Sequence, residues 1–214
     1  SLARLHHEAG PLTLAGQPDR LALGLAGGIA QTVKHLDALD FHSVFTRPSL
    51  RFRASVAGFA RAVVWMRDGD GRIARALCDA GVGEVLVFPG LPPDDWADHA
   101  SRYYAHCLGY TEVPPWRLGV PPQRTAPDVV VHPGSGGVHK NWPVERFADV
   151  ARALARAGWR IAWLVGPAEE GLALPAGVTR CWCESLVDVA RLLTGARLCL
   201  GNDSGITHLA AAVA

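Results

Sequence analysis

The sequence predicts an α/β protein with mostly parallel strands, and three observations carry that expectation. An unbroken apolar run, Val129-Val130-Val131, leads into a glycine-rich loop and then a helical pattern opening at Pro143. A second apolar run, Trp159 to Val165, follows that helix and closes at Gly166-Pro167, so strand, helix and strand form a right-handed crossover with a parallel pair. A third run, Arg197 to Leu200, again passes through a glycine-bearing turn into an alanine-rich helix.

Taken in order, residues 2–9 read as the tail of a helix and Pro11–Ala15 as a short strand. Further strands are expected at Ser43–Thr46, Ala62–Met66 and Glu84–Phe88, with helical stretches between some of them. Asp79 to Gly83 ends one helix ahead of the strand at Glu84. Asp98 to Leu108 reads as a helix whose Tyr103, Tyr104 and Cys107 suit a core better than a ligand stack. Prolines 114, 115, 121, 122 and 127 cluster into a semi-rigid linker. Beyond it, Val144, Phe147, Val150 and Leu154 recur at helical spacing, Glu145 lies in the first turn, and Gly158 terminates the helix. Ser185 and Asp188 form a capping box ahead of Leu186, Val189, Leu192 and Leu193. The final helix starts near Ile206.

The strand–loop–helix from Val129 to Pro143 is the strongest functional signal. Gly134, Gly136 and Gly137 let backbone N–H groups approach a phosphate with no Cβ in the way, and a helix N-terminus favours an anion. Lys140 adds a full positive charge. The stretch is neither a Walker P-loop, since Asn141 follows Lys140, nor the dinucleotide fingerprint, since Val138-His139 follows Gly137. The plainer alternative is an ordinary glycine-bearing loop with a solvated lysine. At the second strand end, Gly201-Asn202-Asp203-Ser204-Gly205 meets a helix, and Ser204 and His208 share one side of its first turn. Asp203 or Ser204 could simply cap that helix. Two anion-friendly helix starts in one half of the chain suggest a split site for a diphosphate.

Those residues resemble a known family. HPGSGG…KNWP, then GPAEE and GNDSGITHLAAA, over about the last ninety residues, look like the ADP-heptose:lipopolysaccharide heptosyltransferases of glycosyltransferase family 9. The resemblance implies a GT-B-like fold of two Rossmann-like domains with mostly parallel sheets facing a cleft. It places a Rossmann-like acceptor-side domain at 1–118, without its first strand, and a truncated Rossmann-like nucleotide-sugar domain at 125–214. Implied by position, Ser135 and Gly136 contact phosphate, Lys140 neutralises the diphosphate, and Glu169 approaches the ribose. Asp203, Ser204, Gly205 and His208 hold the heptose and diphosphate.

The implied reaction transfers a heptose or related sugar from an ADP-sugar to a lipopolysaccharide-core acceptor, with inversion and without metal or cofactor. Leaving-group charge builds on the diphosphate, so a fixed cation and oriented N–H dipoles stabilise the transition state above the ground state. In the resembling family the general base is an acid in the first strand–loop of the N-terminal domain. That element is expected to precede this chain, so no residue here is assigned the role. Asp19, Asp37, Asp40, Asp68 and Asp70 read instead as solvated turn or cap residues.

Composition narrows the partners. A net charge of +1 argues against a dedicated nucleic-acid binder, and nothing reaches the apolar length of a membrane helix. Five cysteines without CxxC spacing suit a reducing cytoplasm, with Cys181 and Cys183 as half-buried thiols on one strand face. Between Phe41 and Arg67, Arg47, Arg51, Arg53, Arg61 and Arg67 occur with no acid. They form either a solvated face or, with Arg47, Arg51 and Arg53 foremost, a rim for an anionic glycolipid. Such an acceptor allows peripheral contact with the inner face of the inner membrane. A nucleotide-sugar-binding protein without turnover, or a GT-B-like nucleotide-sugar epimerase, would share the layout.

Overall fold

The computed structural model describes residues 10–113, 117–137, 139, 141–166, 171 and 173–214. The expected helix over residues 2–9, Pro114 and Pro115 of the proline cluster, and the site candidates Lys140 and Glu169 lie outside them. The described residues fall into two compact units: Ser1–Leu21 with Ile29–Pro115, and Ala22–Gly28 with Trp116–Ala214.

In the first unit, β1 (Thr13–Gly16) pairs in parallel with β2 (Thr32–His35), and β3 (Arg61–Trp65) with β4 (Glu84–Phe88). Its helices are α2 (Leu50–Val56), α3 (Arg72–Asp79) and α4 (Ala100–Cys107), while α1 (Pro18–Ala26) runs from the first unit's residues into the second's. Val44, Phe52, Val56, Ile73, Ala76, Leu77 and Val82 form the core. Asp68 accepts the N–H groups of Ile73 and Ala74, one on each carboxylate oxygen at 2.9 Å, and Asp70 accepts that of Arg72. These two aspartates are the turn and cap residues the sequence suggested. Tyr103 is buried, and its hydroxyl donates to Pro89 O, while that of Tyr104 donates to Gly90 O.

One expectation fails here, and one strand was not foreseen. Ser43–Thr46 is not a strand; Phe41–Phe45 is a 3-10 turn entered from Asp40 in the left-handed region (φ 56°). Ser43 Oγ donates to Asp40 O at 2.7 Å, a local side-chain bond that offers the backbone an alternative to a sheet ladder. The missed strand is β2, whose Thr-Val-Lys-His has only two β-branched residues and no clean alternation.

The second unit is a four-stranded parallel sheet in the order β7-β6-β5-β8, where β5 is Val129–His132, β6 Ile161–Val165, β7 Val178–Trp182 and β8 Leu198–Gly201. Ile161 to Val165 and Val129 to Val131 are all buried, as strands covered on both faces must be. Its helices are α5 (Val144–Arg156), α6 (Leu186–Thr194) and α7 (Gly205–Val213). Phe147 and Ala151 of α5 pack with Val129, Val131, Ile161, Trp163 and Val165. Gly158 ends α5 at φ 89°, where a Cβ would be strained, with Gly158 N–H donating to Ala155 O and Trp159 N–H to Leu154 O. Ser185 caps α6 by accepting the Asp188 N–H at 3.1 Å, and its hydroxyl donates to the Asp188 carboxylate. The proline-rich stretch after Trp116 belongs to this unit: Leu118 and Val120 are buried, Leu118 N–H donates to Ala212 O, and Gln123 N–H to Arg191 O.

Candidate functional site

Parallel strands of one sheet end on the same side, which puts their following loops together. His132 of β5 is in register with Gly201 of β8, so the loop from Pro133 and the turn Asn202–Ser204 leave the sheet side by side. The two are then bonded. Buried Asn202 donates from Nδ2 to Pro133 O at 2.5 Å and accepts the Trp142 N–H on Oδ1 at 2.8 Å. One side chain therefore holds both ends of the glycine-rich loop against the β8 turn.

Inside the loop, Ser135 Oγ accepts the Gly137 N–H at 3.2 Å and lies 2.5 Å from Asn141 Oδ1. Trp142 follows with its indole edge-on to Phe147, ring centres 4.9 Å apart, which fixes the entry into α5. The glycines lie in the loop ahead of α5, as the sequence suggested. Residues 133–143 intervene before Val144, and Pro143 is the N-cap without a side-chain bond. Gly136 is exposed, and a Cβ built on it would meet no other atom within 4 Å.

The β8 turn enters α7 at Ser204, whose Oγ accepts the Thr207 N–H at 3.4 Å. The plain capping reading of Ser204 is therefore realised. Thr207 Oγ1 donates to Asn202 O at 2.5 Å, closing the turn from within. Gly201 has a packing reason: a Cβ there would lie 3.0 Å from Thr207 Oγ1 and 3.1 Å from His132 O. Gly205 has none, since its Cβ would meet nothing within 4 Å. Asp203 and His208 reach back across the turn, Oδ1 to Nε2 3.3 Å apart, both largely exposed.

Ser135, Gly136, Asp203 and Ser204 are thus carried by two loops at adjoining strand ends of one sheet, and Gly205 and His208 by the first turn of α7 that follows. Arg47, Arg51 and Arg53 are exposed in the first unit, the last two on α2; Arg53 Nε donates to Pro48 O. Sequence reasoning missed Asn202, Asn141 and Thr207. An asparagine between a strand's closing glycine and a helix cap was the available signal, because a short amide there can satisfy backbone groups on both sides.

Residues 117–214 match the family model of glycosyltransferase family 9 (heptosyltransferase). The chain is also similar to lipopolysaccharide heptosyltransferase 1 of Pseudomonas aeruginosa, 34% identical over 97 residues, or 41% of this chain and 26% of that protein. The match thus spans about a quarter of the length of this curated relative.

Among solved structures, E. coli heptosyltransferase WaaC with ADP-2-deoxy-2-fluoro heptose is similar at TM-score 0.66 and 18% identity, covering 98% of this chain and 79% of that one. The family 9 glycosyl transferase of Veillonella parvula is similar at TM-score 0.72 and 15% identity, covering 98% and 71%. E. coli ADP-heptose lps heptosyltransferase II gives 0.56 at 15%, covering 99% and 76%. At such identities the likeness establishes the fold. It is the GT-B-like α/β architecture that the sequence predicted, with parallel sheets in both units.

Proposed function

We propose that the protein is a glycosyltransferase that takes a heptose-type sugar from an ADP-sugar and passes it to a lipopolysaccharide-core acceptor, with inversion and without a metal. The observation that carries the reading is the pair of family 9 loops pinned together by Asn202 where β5 and β8 end, the side on which parallel α/β sheets take their ligands. The similar WaaC structures hold ADP and an ADP-heptose analogue, which favours an ADP-sugar donor here.

In this reading Ser135, Gly136 and the first turn of α7 from Ser204 and Gly205 face the diphosphate. Lys140 supplies the cation, Glu169 meets the ribose, and Asp203 and His208 orient the sugar. N–H dipoles fixed before reaction stabilise the departing ADP without reorganisation. Arg47, Arg51 and Arg53 form the acceptor rim, matching carboxylates and phosphates of a glycolipid core. Among the described residues no helix is long and apolar enough to cross a membrane. The reading places the enzyme in the cytoplasm, touching the membrane peripherally through its acceptor.

Calorimetry with ADP on the intact protein tests the donor site. A charge-assisted contact contributes about 1.5–3 kcal/mol, so Lys140→Ala should raise the ADP dissociation constant roughly 10- to 150-fold. Unchanged affinity would remove the diphosphate assignment. Sugar transfer that stops in EDTA and returns with magnesium would remove the metal-free mechanism.

A further inference from the structure

Outside the donor loops, one cluster of reactive side chains has no role in the proposed transfer. Cys181 lies on β7, the edge strand of the second sheet, and Cys183 follows two residues later, past exposed Trp182. Alternation puts both thiols on one face of the chain, and both are about half-buried. Each thiol lies near enough to perturb the other's ionisation. Cys181 also lines a cavity of about 450 Å³ with Thr179, Ala162, Leu192 of α6 and Pro127. A small reagent in that cavity would therefore lie against Cys181 although the side chain is partly covered.

We propose that Cys181 and Cys183 form a dithiol modification site for a low-molecular-weight disulfide, with Cys181 as the attacking sulfur and Cys183 as the resolving one. Access assigns the order: Cys181 lines the cavity, and Cys183 is not among the residues that line it. The charge balance between the two thiols agrees. The hydrogen bond from Cys183 stabilises a thiolate at Cys181 and brings its pKa down to about 7. The same bond, with burial, the Cys181 charge and Asp188 of α6, drives Cys183 far above an ordinary thiol. One sulfur is thus the nucleophile near neutrality, and its neighbour keeps a proton until the first exchange removes the negative charge beside it.

Cys181 Sγ attacks one sulfur of the disulfide, the reagent's S–S bond breaks, and one reagent thiolate leaves and takes a proton from solvent. Cys183 then releases its proton and attacks Cys181 Sγ, expelling the second reagent thiolate. Counted from the dithiol, the protein gives up two electrons and two protons, one when Cys181 ionises and one from Cys183, and both expelled thiolates are protonated, so the disulfide is reduced to two thiols. Alternate residues of an extended strand lie about 6.6 Å apart at Cα, at the upper end of the span of about 4.4–6.8 Å that disulfides bridge, so the bond closes by a bend of the chain at Cys183, which lies just past the end of β7. The other cysteines lack this arrangement: Cys78 is exposed without a neighbouring thiol partner of this kind, and burial alone pushes the Cys199 thiol up.

The test uses the intact protein with oxidised glutathione, quenched by alkylation and mapped by peptide mass. Cys181 should react roughly tenfold faster than exposed Cys78 at neutral pH, and the product should be a Cys181–Cys183 disulfide without retained glutathione. Cys183→Ser should trap glutathione on Cys181, and Cys181→Ser should leave Cys183 open to alkylation. Glutathionylation of Cys78 while Cys181 and Cys183 stay alkylatable would overturn the proposal, and that readout needs only the unmodified protein. Reaction at Cys183 in Cys181→Ser, as fast as wild type reacts at Cys181, would overturn the assignment of roles.

Discussion

The carboxyl end of the second sheet has an inner layer and an outer one, and they differ in what the chain itself demands of each residue. Asn202, Gly201 and Thr207 form the inner layer: Asn202 bonds to Pro133 and Trp142, and Gly201 leaves room for Thr207 and His132. Gly136, Gly205, Asp203 and His208 form the outer layer, exposed and without a packing reason for either glycine. The contrast teaches that stability and ligand binding should separate by substitution here. Inner residues should register in both, outer residues in binding alone.

The largest effect is expected at Asn202. Asn202→Ala leaves Pro133 O and the Trp142 N–H without their partner, and each buried polar group left unpaired costs about 1–3 kcal/mol. Urea denaturation should show that loss, and ADP affinity should fall with it because the glycine-rich loop is no longer held to the β8 turn. Full stability with weakened binding would move Asn202 into the outer layer and break the division.

The glycines sharpen the comparison next. Gly201→Ala puts a Cβ within about 3 Å of Thr207 Oγ1 and His132 O, a crowding worth about 1–3 kcal/mol. Gly136→Ala should change stability by less than about 0.5 kcal/mol, as surface substitutions do. Gly205→Ala, at the first position of α7, should be neutral or stabilise by up to about 1 kcal/mol. If a diphosphate approaches these backbones, both outer variants should still bind ADP more weakly. Normal ADP affinity in both would make them open turns and nothing more.

This layering also explains what could be read from the sequence. Val129–Val131 and Ile161–Val165 were legible because a strand covered on both faces is an unbroken apolar run, and Glu84–Phe88, only partly buried, because its apolar run is short and follows a glycine turn. Ser185 was legible because a capping box is local. Thr32–His35 was not, since its strand identity comes from pairing with Thr13–Gly16, distant in sequence. Asp203, Ser204 and His208 stood out as polar residues at a helix start, whereas Asn202 looked like one more turn residue. Its role depends on Pro133 and Trp142, some sixty residues earlier, which only the β5–β8 register brings within reach. Local motifs announce the rim of a site, and long-range pairing decides which residues build it.

The smallest effect belongs at the opposite end of the sheet, where Asp128 ties the amino ends of β5, β6 and β8. Its N–H donates to Arg160 O, its carbonyl accepts the Arg197 N–H, and its carboxylate accepts both the backbone and the guanidinium of Arg160. Those hydrogen bonds, side chain first and backbone second, hold the Asp128 carboxyl below the usual aspartate range. A carboxyl with a lowered folded pKa contributes stability that is complete above the unfolded value, about 3.9, and is lost as pH falls through the folded one. Asp128→Asn should therefore be less stable than wild type at pH 6 to 7, and the gap should close as pH drops below about 4. Arg160 is well exposed, so solvent screens the pair and the gap should be modest and shrink with salt. ADP affinity at pH 7 should not move, because the strand ends that carry the donor loops lie at the far edge of the sheet. A gap that persists unchanged into acid would assign the loss to packing instead of charge. A fall in ADP affinity would mean that the two ends of the sheet are coupled, and the separation of stability from binding would fail at its simplest control.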